Sequence, residues 1–344
     1  MYIENNITKN QISIWLLLMF FLIAFMIVVG GLTRLTDSGL SITKWELFSG
    51  TIPPLSENQW LNYFEQYKQI PEYKIQNYMM NMNEFKVIFW WEWGHRFLGR
   101  LIGLAFLIPL IYFTFKLSFK KLLNFYLIFV LICFQGLIGW YMVTSGLVDR
   151  LDVSHFRLSI HLIVAFLILS LILWNYLKLN IQLNIGYQLN PILPLTFLVL
   201  IFLQIIIGAF VSGMDAGLIY NSWPLMGDNY FPDDNKFRNL FHLSAFSDAS
   251  LVQFLHRNLA YAILIFYVII LFKVYKNNIK NSFLAVNILG LFLLSQVILG
   301  ILTLLNGAQI FLASMHQISS IFLVSASIYL LYLNVKINSF LQDN

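Results

Sequence analysis

The stretch QGLIGWYMVTSGL (Gln135–Leu147) returns as QVILGILTLLNGA (Gln296–Ala308), and reading the two as one motif used twice decides the fold. Upstream of the first copy stands EWGHR (Glu92–Arg96), and upstream of the second stands QFLHR (Gln253–Arg257). Further back, Gly30, Asp37, Gly39, Leu40 and Trp45 recur at one constant offset as Gly208, Asp215, Gly217, Leu218 and Trp223. Downstream, His161 is answered by His316. Matched blocks in the same order identify a tandem duplication, with outer-loop lengths absorbing the differences. The expected halves are residues 1–180 and 181–344.

Composition sets the solvent for both halves. The chain is 59% hydrophobic and 11% charged, with 32 Phe, and its mean hydropathy is +0.74. Ordinary soluble domains carry about 25% charged residues, so lipid must cover most of this surface. A spanning helix needs about 20 mostly apolar residues. Eight runs meet that standard: Ile12–Leu32, Trp90–Phe115, Leu122–Val143, Phe156–Leu177, Ile192–Val211, Leu251–Phe272, Phe283–Leu305 and Leu312–Val335. The fold class is therefore all-α, a polytopic membrane protein whose eight transmembrane helices form two tandem four-helix bundles. Both halves start on the same side, so the repeats are parallel, related by an axis along the membrane normal. The first run is kept as a true span, because no A-x-A-like cleavage site follows it and it has a counterpart in the second half.

The net charge of +5 raises nucleic acid as a partner, but the lysines lie in short clusters between apolar runs, such as Lys116/Lys120/Lys121 and Lys273/Lys276/Lys280. No continuous basic face exists, so the expected surroundings are membrane lipid, without nucleic acid. The single cysteine, Cys133, excludes an internal disulfide and a CxxC metal site. The tails and the connectors after even-numbered spans carry nine lysines against Glu4 and Asp343, whereas the other side mixes twelve Lys/Arg with fourteen acids. Positive residues mark the cytoplasm. Both termini are then expected inside, and the long loops Thr33–Phe89 and Ser212–Ser250 in the periplasm. The N-terminus lacks an Arg-rich transit pattern, which points to a bacterial inner membrane.

In the first outer loop, Pro53-Pro54 sets a break and Ser56 with Gln59 makes a capping-box start. Trp60, Tyr63, Phe64 and Tyr67 follow at helical spacing. This predicts a surface helix, either resting on the bilayer or the bundle, or acting as a lid over a site.

Four of the six histidines fall within predicted spans: His95, His161, His256 and His316. An ionisable residue there is costly without a partner, and the plain alternative for any one of them is a hydrogen bond to a neighbouring helix. All four lie near the outer ends, and they pair by repeat, His95 with His161 and His256 with His316. Two histidines on facing helices of a four-helix bundle are a standard way to hold haem iron. Small residues on the same faces make room for a flat ring: Gly99 and Gly103 beside His95, Ala165 beside His161, Ala260 beside His256, and Ser320 with Ala313 beside His316. Such residues also serve plain helix packing.

Arg96 and Arg257 follow their histidines at the membrane mouth, with Arg100 one turn from Arg96. They are candidate contacts for haem propionates, although Arg100 could equally snorkel to lipid phosphate. His155 and His242 read as ordinary loop residues. Glu92 stands one turn before His95, whereas its counterpart in the repeat is the uncharged Gln253. A carboxylate can take a proton or stabilise a developing cation where an amide cannot. Glu92 is thus the candidate catalytic residue, with a mouth ion pair to Arg96 as the plainer role.

The run GGLTRLTDSGLSITKW (Gly30–Trp45), the ExxHR block at Glu92–Arg96 and the outer-end histidines of the even-numbered spans resemble the haem A synthase family. The likeness runs from about Gly30 to Gln317 and is nearest to the alphaproteobacterial and mitochondrial class. It implies oxidation of a methyl group of haem O to a formyl group, giving haem A for cytochrome c oxidase assembly. It further implies a resident haem b on His256 and His316, with Arg257 beside it. The substrate haem would sit on His95 and His161, with Glu92 required. A haem O synthase that supplies the substrate is an implied partner, as is an electron donor. Some bacterial members carry a cysteine pair in the first outer loop, whereas Thr33–Phe89 here contains no cysteine. A di-haem b-type cytochrome moving electrons from quinol would use the same four histidines. A transporter with parallel repeats should instead show broken helices near the midplane.

Overall fold

The computed structural model describes residues 6–149, 151–182 and 188–335. Glu4, Arg150, Lys336 and Asp343, which entered the charge tally, lie outside the described residues. The helices in chain order are α1 (Asn6–Leu35), α2 (Glu57–Tyr67), α3 (Pro71–Ile75), α4 (Met82–Thr114), α5 (Phe119–Asp149), α6 (His155–Asn180), α7 (Ile192–Gly213), α8 (Ala249–Lys276), α9 (Lys280–Leu305) and α10 (Ile310–Asn334). All but α2 and α3 are long and apolar enough to cross a membrane, eight in total among the described residues. At 1.5 Å per residue even the shortest of them, α7, reaches about 33 Å, enough for a hydrocarbon core of about 30 Å. Their outer faces expose Phe21, Phe25, Val130, Val199, Leu291 and Phe322. An apolar surface of that extent belongs in lipid. The protein is a multi-pass membrane protein.

Packing divides the chain into two compact units. One comprises Leu18–Ile168 with Ser212–Asp215, and the other contains the start of α1, Leu169–Val211 and the described residues from Ala216 on. In the first unit, α4 packs on α5, α2 lies against α4, and α3 lies against α5. There Arg34 donates to Asp37 at 2.6 Å and to Asp215 at 3.1 Å. These two aspartates occupy matched positions in the repeat, and both adopt positive φ, 47° and 49°, just after their helices end. Asp tolerates that conformation better than most residues. In the other unit α9 packs between α8 and α10. Gly290 leaves room for Tyr267, whose hydroxyl donates to the Val286 carbonyl at 3.2 Å.

The first outer loop holds the main departure from the sequence reading. The expected helix is present as α2, with its full capping box: Ser56 accepts from the Gln59 amide, and Gln59 accepts from the Ser56 amide. However, α4 begins at Met82, two turns before the expected Trp90. A second capping box, Asn81 with Glu84, starts it. The reason lies in what those turns bury. Phe85, Ile88 and Phe89 pack with Phe64, Tyr67 and Ile42 in one cluster under α2, so the helix continues beyond the hydrocarbon because the loop supplies an apolar partner. The short α3, which begins with Pro71 at its first turn, has no strong periodicity and was not predicted. The helix start corrects the position of Glu92. It sits well inside α4 beneath the loop instead of at a helix mouth.

Candidate functional site

Each of the four span histidines faces a glycine on the preceding membrane-spanning helix. A side chain starting from Gly30 of α1 would meet His95 Cε1 at 2.9 Å, and one from Gly139 of α5 would meet His161 Cε1 at 3.1 Å. In the other unit, Gly208 of α7 stands at 3.1 Å from His256 Cε1 and Gly300 of α9 at 2.9 Å from His316 Cε1 by the same measure. These imidazole edges rest where only glycine leaves space, so the contacts fix where each ring lies. In the first unit the His95 and His161 rings converge, with centroids 6.4 Å apart and planes inclined at 52°. The Nδ1 atoms of His95, His161 and His316 are buried without a hydrogen-bond partner.

Of the small residues expected to make room, Gly99 faces the Met26 methyl at 3.2 Å, whereas no atom lies within 4 Å of a side chain built on Gly103. The glycines across the interface carry no signal in their own helix. Gly30, Gly139, Gly208 and Gly300 stood in the matched blocks as markers of the repeat, and only the packing of one helix on the next gives them a role.

Glu92 is 3% exposed, and the chain itself engages both carboxylate oxygens. Ser41 Oγ and the Ile42 amide each donate to Oε2 at 2.7 Å, and Arg96 donates to Oε1 at 2.6 Å. Arg96 also donates to the Ile42 and Lys44 carbonyls, at 2.9 and 3.4 Å. Glu92 and Arg96 therefore bind the segment that follows α1 onto α4. At the matched positions Gln253 donates to the Tyr220 carbonyl at 3.0 Å, and Arg257 donates to the Tyr220 and Ser222 carbonyls, each at 2.9 Å. Both arginines thus hold loop carbonyls at corresponding positions, while only the first half adds a buried carboxylate. Arg100 donates to the Glu46 and Leu47 carbonyls. Its Nη1 and Trp93 Nε1 are buried without partners and line a small cleft with Lys44, Glu46 and Tyr63. His155 opens α6, and His242 lies between two short turns of 3-10 helix.

A second buried carboxyl lies in α3. Glu72 is 3% exposed and accepts from the Tyr67 hydroxyl at 2.9 Å and the Asn77 amide at 3.3 Å. Burial pushes its carboxyl up to about 8; Glu92, Asp152 and Asp37 push the same way, while the Tyr67 hydroxyl pulls it down. A folded value above the unfolded one means that stability is complete below about pH 4 and falls as the pH rises toward 8. Glu72→Gln, which mimics the neutral acid, should therefore slow proteolysis of the first outer loop near pH 9 and change little near pH 4. Equal digestion of variant and native chain at the higher pH would contradict this.

The model of the cytochrome oxidase assembly protein family matches residues 13–328, nearly the whole chain. The chain belongs to that family. A heme A synthase of Pelagibacter ubique is 48% identical over 97% of this chain and 99% of its own length. One from Rickettsia bellii is 43% identical, with 95% and 97% covered. Another from Flavobacterium johnsoniae is 40% identical, with 94% and 98% covered.

The family implies haem, and the residues present fit it. Among the described residues no group of three or more His, Cys, Asp or Glu could hold a bare metal ion. Paired imidazoles instead suit a metal that brings its own equatorial ligands. His95 and His161, with ring centroids 6.4 Å apart, would be the residues to hold such a metal in the first unit.

Proposed function

We propose that this chain oxidises a methyl substituent of haem O to a formyl group, forming haem A for cytochrome oxidase assembly. The observation that carries the reading is the set of four helix-borne histidines, each seated on a glycine of the preceding membrane-spanning helix. Supporting it are relatives called heme A synthase that match this chain nearly end to end. His95 and His161 hold the substrate haem, and His256 and His316 hold a resident haem b, with Arg257 fixing the loop beside it. When bound, haem supplies the iron and, at the N-terminal site, the methyl group that exchanges two hydrogens for an oxygen.

The chain's own part is binding and orientation. The imidazoles bind and the glycines set their orientation. Glu92 and Arg96 fasten the Ser41–Lys44 segment onto α4, the helix that carries His95. We assign Glu92 a positioning role through that segment, since Ser41, Ile42 and Arg96 take up its oxygens. Arg100 Nη1 and Arg257 Nε are both buried and unpartnered, which supports each as a partner for a propionate. The difference between Glu92 and Gln253 favours an enzyme with one reacting half over a cytochrome with two equivalent haems.

The test is to supply haem O to membranes containing the chain and identify the extracted porphyrins by mass. Haem A should form, and its absence in membranes with full haem b content would overturn the reading. The lysine asymmetry supports a bacterial inner-membrane protein with both termini in the cytoplasm and the loop after α1 in the periplasm. Reporter fusions after Asn344 should therefore give a cytoplasmic signal, and a periplasmic one would refute this sidedness.

A further inference from the structure

One turn before three of the four glycines lies a glutamine, and each reaches the histidine that its glycine seats. Gln135 donates to the His161 carbonyl at 2.8 Å. Gln204 donates to the His256 carbonyl at 2.9 Å, and its amide nitrogen lies 3.2 and 3.3 Å from the two ring nitrogens. The Gln296 amide nitrogen lies 3.4 Å from His316 Nε2, and its oxygen accepts from Ser319. The fourth helix keeps the glycine but not the glutamine. One turn before Gly30 stands Met26, whose methyl packs at Gly99. Among the described residues no side-chain hydrogen bond reaches His95, and its Nδ1 is buried without a partner, as are those of His161 and His316.

A histidine that binds a metal through one ring nitrogen almost always donates from the other to a fixed acceptor, which sets tautomer and orientation and strengthens the bond. A glutamine beside the ring brings a carbonyl oxygen suited to this. The side-chain oxygens of Gln135 and Gln204 are buried and unpartnered, while that of Gln296 accepts from Ser319; each glutamine reaches its histidine through the amide nitrogen. A thioether is at best a weak acceptor.

We propose that Gln135, Gln204 and Gln296 are positioning residues that lock their histidines as haem ligands, and that Met26 leaves His95 as the exchangeable ligand through which haem enters and leaves the N-terminal half. The inference rests on the four-histidine haem reading. It also accounts for an otherwise puzzling demand on a duplicated protein: one site must keep its haem, while the other must release a product built on the same macrocycle. Both histidines of the C-terminal half have the glutamine, and only one of the N-terminal half does.

The test uses the purified full-length chain loaded with haem and challenged with a soluble haem scavenger. Met26→Gln is close in length and should create the missing lock. The expected result is slower loss of the N-terminal haem, by roughly fivefold for one added net hydrogen bond, with product release slowed and haem b unchanged. Gln135→Met should act oppositely, hastening loss of the same haem. Gln204→Met and Gln296→Met should shift the spin-state spectrum of haem b. Unchanged N-terminal release in both Met26→Gln and Gln135→Met, with the haem b spectrum intact as proof of folding, would overturn the inference. Failure of the underlying reading looks different: His95→Ala and His161→Ala would then leave haem content unaltered.

Discussion

His256→Ala and His316→Ala should each abolish the low-spin haem b spectrum of the purified protein. The two imidazoles come from α8 and α10, and each lies against a glycine across a helix interface, where an added Cβ would meet the ring at 3.1 and 2.9 Å. Outer-shell partners of a metal ligand alone are worth about 10–100-fold in affinity or activity. Removing a direct ligand should therefore weaken haem retention by more than about 100-fold, and what stays bound would be five-coordinate. The measurement is the reduced spectrum together with haem extracted per chain. A native spectrum in both variants would remove this pair as ligands.

How much of this was legible in the sequence depended on whether the signal lay within one helix or between two. The eight spans followed from apolar runs, and the capping box at Ser56 was visible because Gln59 is three residues away. The start of α4 was not visible, because Phe85 and Phe89 extend that helix only by burying themselves under α2, from another part of the loop. The histidines stood out as costly residues in apolar runs. The glycines that seat them did not, since Gly30 meets His95 across more than sixty intervening residues. The Gln-to-Gly spacing was present in the matched blocks at Gln135 and Gln296. Its meaning needed the contact, as did the break in the pattern at Met26. For Glu92, helical spacing correctly gave Arg96 as a partner one turn away. It could not give Ser41 and Ile42, which take the other oxygen from the segment beyond α1.

That second oxygen makes Glu92→Gln the most informative change in the N-terminal half. The native carboxylate accepts from three groups, all of them donors: a guanidinium, a hydroxyl and a backbone amide. A glutamine has one accepting oxygen and one donating nitrogen. Whichever way the amide turns, its nitrogen faces either Arg96 or the Ile42 amide, and a buried donor is left against a donor. At Gln253 the amide nitrogen is matched by the Tyr220 carbonyl, while the amide oxygen is buried without a partner. Chemical identity at this position thus follows what the adjoining loop presents. Breaking a buried charged pair by removing one partner costs about 3–5 kcal/mol. If that strain falls on the Ser41–Lys44 segment, haem A formation should drop by roughly two to three powers of ten. A mouth ion pair would contribute only about 1 kcal/mol and leave the rate within about tenfold of native. The assay is haem A produced by Glu92→Gln in membranes supplied with haem O, with haem b measured in the same sample. Haem b should remain, since the histidines proposed to hold it, His256 and His316, lie on α8 and α10 in the other unit. Near-native haem A would reduce Glu92 to an exposed-type ion pair. Loss of haem A with haem b retained, together with faster proteolysis of the Ser41–Lys44 segment, would place the effect on the positioning of that segment in the reacting half.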